Sequence, residues 1–209
     1  IAKGNEQVAS ARKLGLPLFD QWLATAKPAD LDADIPSKGL IARLALNEGS
    51  GIPAGTTAAG TPVTWKKDGK SGPAPNFKKG SHLVVGEAGD FSTKQAFSAS
   101  AWARPDKLEG SGTIVGRMDD PKGAQGWTLF HTAKNYGVYI ISKWPDDAIK
   151  VVTTKNPARA TWQHVTMTYD GSGKASGVKI YVDGVLAETR GEVDKLKTAA
   201  KAATPTRLG

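Results

Sequence analysis

Between residues 40 and 190 the chain is a succession of short stretches in which apolar and polar residues alternate, separated by Gly, Pro, Asp and Asn. Alternation with a period of two puts one set of side chains on each side of a pleated strand, so each stretch can bury one face and needs a sheet to complete it. "LIARLAL", "HLVVG", "AFSASAWAR", "GTIVGR", "GWTLFHT", "YGVYIIS", "AIKVVTT", "WQHVTMTY", "GVKIYV" and "VLAETR" all read as strands in this way. Many short strands with few helices between them predict an all-β fold, a two-sheet antiparallel sandwich or jelly roll.

The run "WQHVTMTYDGSGKASGVKIYVDGVL", residues 162–186, is the most explicit part of that pattern. "YVDGVL" has Asp183 and Gly184 where a two-residue type I′ hairpin turn needs positive φ, and "YDGSGKASG" is a longer connection, so three consecutive antiparallel strands are expected. Val165, Met167 and Tyr169 then share the core face with Val178, Ile180 and Val182 of the next strand and with Phe97, Ala99, Ala101 and Ala103 upstream. If these strands share a sheet, its other face carries Trp102, Arg104, Trp162, His164 and Tyr181. Aromatic rings beside hydrogen-bond donors suit sugar recognition, because a pyranose offers C–H faces for stacking and hydroxyls for polar contacts. A tryptophan on a strand can equally be covered by a loop and serve only the scaffold.

Residues 5–26 have helical spacing, with Asn5 placed to cap and Leu18, Phe19, Trp22, Leu23 and Ala26 recurring, and Gly15 and Pro17 divide the segment into two pieces. "KPADLDADIPSKG" has linker chemistry, which sets a boundary near Pro36: residues 1–36 form a helical lead-in and linker, and residues 37–209 the sandwich. "GEVDKLKTAAKAAT" near the end is a surface excursion with enough Ala and Lys for one or two helical turns. The chain starts at Ile1 with no basic-then-apolar leader, which reads as an excised or processed piece.

Composition excludes several functions. With no cysteine there is no disulfide, thiol chemistry or cysteine-held zinc, and no apolar run reaches membrane-spanning length. A net charge of +8 and a pI near 9.6 favour acidic partners, although the charge is mostly scattered and points to no specific nucleic acid. Its densest patch, "WKKDGKSGPAPNFKKGSH", sets Lys66, Lys67, Lys70, Lys78 and Lys79 among Trp65, Phe77 and His82, either as a solvated loop or as a polyanion-binding one.

In order and spacing, "LIARLALNEGSG", "FSASAWARP", "GTIVGR", "GWTLF" and the 162–186 run resemble the laminin-G-like branch of the concanavalin A-like lectin/glucanase superfamily over about residues 37–209. The resemblance implies a jelly-roll sandwich that serves as a sugar-, glycosaminoglycan- or protein-binding module. "FDQWLATAKPADLDADIPSKGL" looks like the junction before such modules in planctomycete-type multidomain proteins with cytochrome c-like and uncharacterised domains. That implies a periplasmic, cell-surface or secreted setting and neighbouring domains in the same parent chain. Family members usually continue beyond a segment like "TPTRLG" into closing strands, so either those lie outside residues 1–209 or the edge is closed differently.

Relatives that hydrolyse glycosides need two carboxylates across the scissile bond, commonly as Glu-x-Asp-x-x-Glu on one strand. "EVDKLK" has Lys197 where the last Glu belongs, and His82, His131 and His164 are dispersed, with no nucleophile elbow or phosphate loop. Catalysis is therefore not expected, and no cofactor is implied beyond a structural calcium, for which the loop acids Glu48, Asp90 and Asp170 are the candidates. The expected function is a non-catalytic module binding a glycan, with an acidic polysaccharide favoured by charge. Its candidate residues are Trp102, Arg104, Trp162, His164 and Tyr181 on the sheet and Trp65, Lys66, Lys67, Lys78 and Lys79 in the loop. The alternative is a docking module whose basic surface meets an acidic protein and orients its neighbours.

Overall fold

A computed structural model describes residues 2–25, 37–106, 110–119 and 124–209. By internal contacts the chain divides into two units, Ile1–Ile41 and Ala42–Gly209. The expected linker falls mostly on residues 26–36, outside the described residues.

In the first unit a single helix, α1 (Ala2–Thr25), runs through Gly15 and Pro17 without dividing. Proline removes one helix N–H, but on a helix whose described side chains are exposed water can satisfy the freed carbonyl. Asn5 lies inside the helix, not before it as expected. Leu14, Leu18, Phe19 and Trp22 all stand in solvent, with the Phe19 and Trp22 rings 5.7 Å apart. No helix among the described residues is long and apolar enough to cross a membrane.

The second unit is an antiparallel sandwich. Its strands are β1 (Thr57–Gly60), β2 (Thr64–Lys66), β3 (Ala74–Asn76), β4 (Ser81–Gly86), β5 (Phe97–Ala103), β6 (Ser111–Met118) and β7 (Gly126–Thr132). They continue with β8 (Tyr136–Lys143), β9 (Asp147–Thr153), β10 (Gln163–Tyr169), β11 (Val178–Val182), β12 (Val185–Leu186), β13 (Thr189–Asp194) and β14 (Thr206–Leu208). One sheet has eight strands in the order β1-β4-β14-β6-β7-β8-β9-β13, the other four in the order β12-β11-β10-β5, and β2 and β3 form a separate hairpin. The last strand, β14, sits inside the large sheet between β4 and β6, not at an edge.

The core forms where the alternation places it. Val165, Met167 and Ile180 are wholly buried and pack with Phe97 of the same sheet and with Trp127, Leu129, Val138, Ile140 and Ile149 of the facing one. Full burial of one such aliphatic side chain stabilises by about 1.5–3 kcal/mol. Two polar side chains that enter the core are satisfied there: the Trp127 indole donates to the Gly89 carbonyl at 3.0 Å, and the Tyr169 hydroxyl donates to that of Thr93 at 2.9 Å. The Tyr136 hydroxyl donates to Gln163 Oε1 at 3.0 Å, and burial pushes its pKa up to about 12.

The hairpin turn is as expected, with φ of 52° at Asp183 and 78° at Gly184. The Asp183 carboxylate also accepts the His164 N–H at 2.8 Å, pinning the turn to β10. Three expectations are corrected. Residues 40–46 form no ladder: Leu46 takes a φ of 53°, which ends the extended run, and only Leu44 and Leu46 are half-buried among the apolar residues there. "VLAETR" is split, because β12 ends after two residues and the chain crosses to pair β13 with β9 in the other sheet. "GEVDKLKTAAKAAT" is not helical: its start belongs to β13, and side-chain acceptors capture the backbone of the rest. Asp147 Oδ1 accepts the Lys197 and Thr198 N–H groups, while Leu196 and Ala202 are buried.

Candidate functional site

The outer face of the four-stranded sheet is assembled from β5, β10 and β11. Trp102 and His164 are direct cross-strand partners, and Tyr181 lies across from Thr166 one ladder step away on the same face. The Trp102 and His164 rings are 5.2 Å apart and tilted by 51°. Trp102 is 45% exposed, and Lys70 Nζ lies 4.3 Å from its ring centre. The structure thus leaves an open indole between an imidazole and an ammonium group.

Beside it the same face is closed. The chain around the β2–β3 hairpin brings Asp68 over Arg104, whose Nη1 donates to the Asp68 carboxylate at 2.8 Å and to its carbonyl at 2.9 Å. Arg104 Nε donates to Asp106 at 3.1 Å, and Lys66 pairs with the other Asp106 oxygen. The Arg104 guanidinium lies over the Trp162 ring at 5.2 Å, and the Trp162 indole donates to the Asp68 carbonyl at 3.2 Å. A shallow cleft bounded by Lys66, Pro75, Arg104, Asp106 and Trp162 remains. The hydrogen bond from Arg104 holds the Asp68 carboxyl below the usual carboxylate range, and Lys66 does the same for Asp106. Both acids are therefore charged at neutral pH, so neither is poised to donate a proton.

The expected five-residue face is thus divided. Trp102 is accessible, with His164 and Tyr181 half-buried on the same face, whereas Arg104 (side chain 14% exposed) and Trp162 anchor a loop. Trp65 is half-buried and its indole donates to Gly51 at 3.1 Å, which is an anchoring role. Lys67 is exposed on the same hairpin, while Lys78 and Lys79 stand apart at the β3–β4 turn. Sequence reasoning named Lys70 in the basic patch but did not place it on Trp102, because a loop of Gly, Ser and Pro has no periodicity to aim it.

The calcium candidates do not come together. Asp90 is held by Lys201 at 3.0 Å and Arg117 at 3.5 Å, cations that oppose a second positive ion, and Asp170 Oδ1 accepts the Ser172 N–H at 2.9 Å. Glu48 is exposed, and among the described residues no group of three His, Cys, Asp or Glu could hold a metal. In "EVDKLK", Glu192 is tied to Lys150 and Arg190, and Asp194 accepts the Ala175 N–H.

A family model described as the concanavalin A-like lectin/glucanases superfamily, of laminin G type, matches residues 77–209. The chain belongs to that superfamily. No curated protein matches the sequence. Among solved structures, the binding domain of botulinum neurotoxin serotype G is similar with a TM-score of 0.52 at 16% identity, covering 78% of this chain and 44% of that one. A botulinum neurotoxin type C structure, for which cell entry is described as dependent upon interaction with two ganglioside molecules, gives 0.52 at 17%, covering 79% and 41%. The CBM40 of Ruminococcus gnavus IT-sialidase, bound to alpha2,3 sialyllactose, gives 0.44 at 14%, covering 55% and 63%. At these identities the likeness is one of fold, and the superfamily chain described here spans less than half the length of the neurotoxin domains.

Proposed function

We propose that the sandwich is a non-catalytic glycan-binding module whose platform is Trp102, flanked by His164 and Lys70. The observation that carries this reading is the exposed Trp102 indole with an ammonium group 4.3 Å from its ring centre. An exposed indole offers a stacking surface; His164 can supply a hydrogen bond beside it, and the Lys70 ammonium, now over the ring, can turn to an acidic group of the sugar as it stacks. With Lys67 nearby on the hairpin and a net charge of +8, a sugar bearing carboxylate or sulfate fits this face better than a neutral one. Proteins of like fold described as interacting with gangliosides accord with a glycan role for this scaffold. An export setting and neighbouring domains, implied by the lead-in, belong to the same proposal.

The experiment is a panel of sulfated, uronic and neutral oligosaccharides titrated at low and moderate salt against the native chain and Trp102→Ala. Saturable binding of an acidic member, lost in the variant, supports the reading; binding that is only salt-sensitive background refutes it. A second reading, protein docking, is favoured by the loop that closes over Trp162. It predicts that an acidic protein surface, not a glycan, protects Trp102.

A further inference from the structure

The outward face of the eight-stranded sheet carries a group of rings and charges that the Trp102 platform does not use. Phe130 on β7 lies over Gly137 of β8, its register partner, where a Cβ would drive into the ring. With that position empty, Phe130 stacks on Tyr139 at 4.7 Å and 19°. Trp144, in the turn after β8, stands at 87° to Tyr139 with ring centres 5.3 Å apart, and it is 42% exposed. Phe130 is buried and Tyr139 half-buried, so the two form the floor of a right-angled aromatic corner whose exposed wall is Trp144.

Polar groups continue from the floor. Lys150 is the register partner of Tyr139 on β9 and places Nζ 5.3 Å from the Tyr139 ring centre. It pairs with Glu192 at 2.7 Å, and Glu192 accepts from Arg190 at 2.8 Å. Glu192 sits at the register shift between Gly191 and Val193, a bulge in β13 that re-aims a side chain where regular pleating would not. Burial disfavours charge on Lys150, but the hydrogen bonds its ammonium donates to Glu192 and Tyr139 outweigh it and raise its pKa, so the ammonium is held in place as a donor.

We propose that this corner is a second, separate binding site, for a neutral pyranose of an oligosaccharide. The sugar's C–H face lies on Tyr139 with its edge against Trp144, and its hydroxyls bond to Lys150, Glu192 and Arg190. A neutral ligand is favoured because Glu192 already holds both cations, and a carboxylate or sulfate would have to displace it. A hydroxyl can donate to Glu192 and accept from Lys150 without disturbing either pair. The two faces point away from each other across the sandwich and differ in ligand charge, so binding at one is independent of the other.

The test follows Trp144 by its indole N–H resonance, assigned with Trp144→Phe, while cello-, laminari-, xylo- and mannohexaose are added to the full chain at millimolar concentration. At least one hexasaccharide should shift the Trp144 signal with little dependence on salt. Trp144→Ala should then weaken binding at least tenfold, Trp144→Phe less, Glu192→Gln several-fold, and Trp102→Ala not at all. Glu192→Gln retains the strand and the surface shape, so its loss of affinity is readable even if an alanine variant is less stable. No shift with any of the four, or hexasaccharide binding, followed by backbone amide shifts, that is undiminished in both Trp144→Ala and Tyr139→Ala, overturns the proposal. Failure of the Trp102 reading is distinct, because it would leave the Trp144 response unchanged.

Discussion

Replacing Asp183 by alanine tests whether the β11–β12 hairpin is specified by its turn chemistry. Two effects add. Alanine at a φ of 52° is forced into the left-handed region, at roughly 1–2 kcal/mol. The change also removes the carboxylate that accepts the His164 N–H at 2.8 Å, a bond of about 1 kcal/mol at an exposed site. Trp and Tyr fluorescence during urea unfolding should therefore show a loss of about 2–3 kcal/mol with an unchanged slope. Asp183→Asn should recover most of it, since Asn tolerates positive φ and keeps a carbonyl oxygen in the same place. An Asp183→Ala protein within about 0.5 kcal/mol of the native chain, the scatter expected of an inert surface change, would refute the reasoning.

Gly137→Ala should destabilise by roughly 1–3 kcal/mol by overpacking against Phe130 and should disturb the Tyr139 ring current, read by urea unfolding and aromatic NMR. In an alkaline titration followed by tyrosinate absorbance, Tyr136 should resist ionisation until about pH 12. Because its folded pKa is raised, its contribution to stability is complete below about pH 10 and is lost as pH rises towards 12. Asp68 and Asp106 have the opposite sign: their depressed folded values mean that the Arg104 and Lys66 pairs are intact above about pH 4 and are lost as pH falls below it. Loosening of the hairpin should appear there as a change in Trp162 fluorescence, and Asp68→Asn should remove much of that change.

The parts of the fold legible in the sequence are those where alternation meets a strong turn signal. Val165, Met167, Ile180 and Trp102 fall on the faces their spacing assigns because a one-residue slip would expose the whole core set. Leu40 to Leu46 has the same alternation but no partner edge, which the local pattern cannot reveal. Strand exchange between sheets after Leu186, and the placement of β14 between β4 and β6, are non-local pairings that carry no short-range signature. At the site, sheet positions give which side chains share a face, but whether a face is open depends on loops. Asp68 closes over Trp162 from 94 residues away and over Arg104 from 36, and Lys70 from the same loop leaves Trp102 exposed. The corner at Tyr139 and Trp144 has no local signature, because nothing in "KWPDDAIK" aims its tryptophan at the sheet.

The central claim is that the open half of the four-stranded face, and not the closed half, meets the glycan. Its most direct measurement is the solvent accessibility of individual indoles to a collisional quencher, with and without a saturating sulfated hexasaccharide selected from the panel. The account predicts that Trp102 becomes protected on binding, while Trp162, already tied to the Asp68 carbonyl, is unchanged. Unaltered quenching of Trp102 at saturation, or protection confined to Trp162, would contradict it.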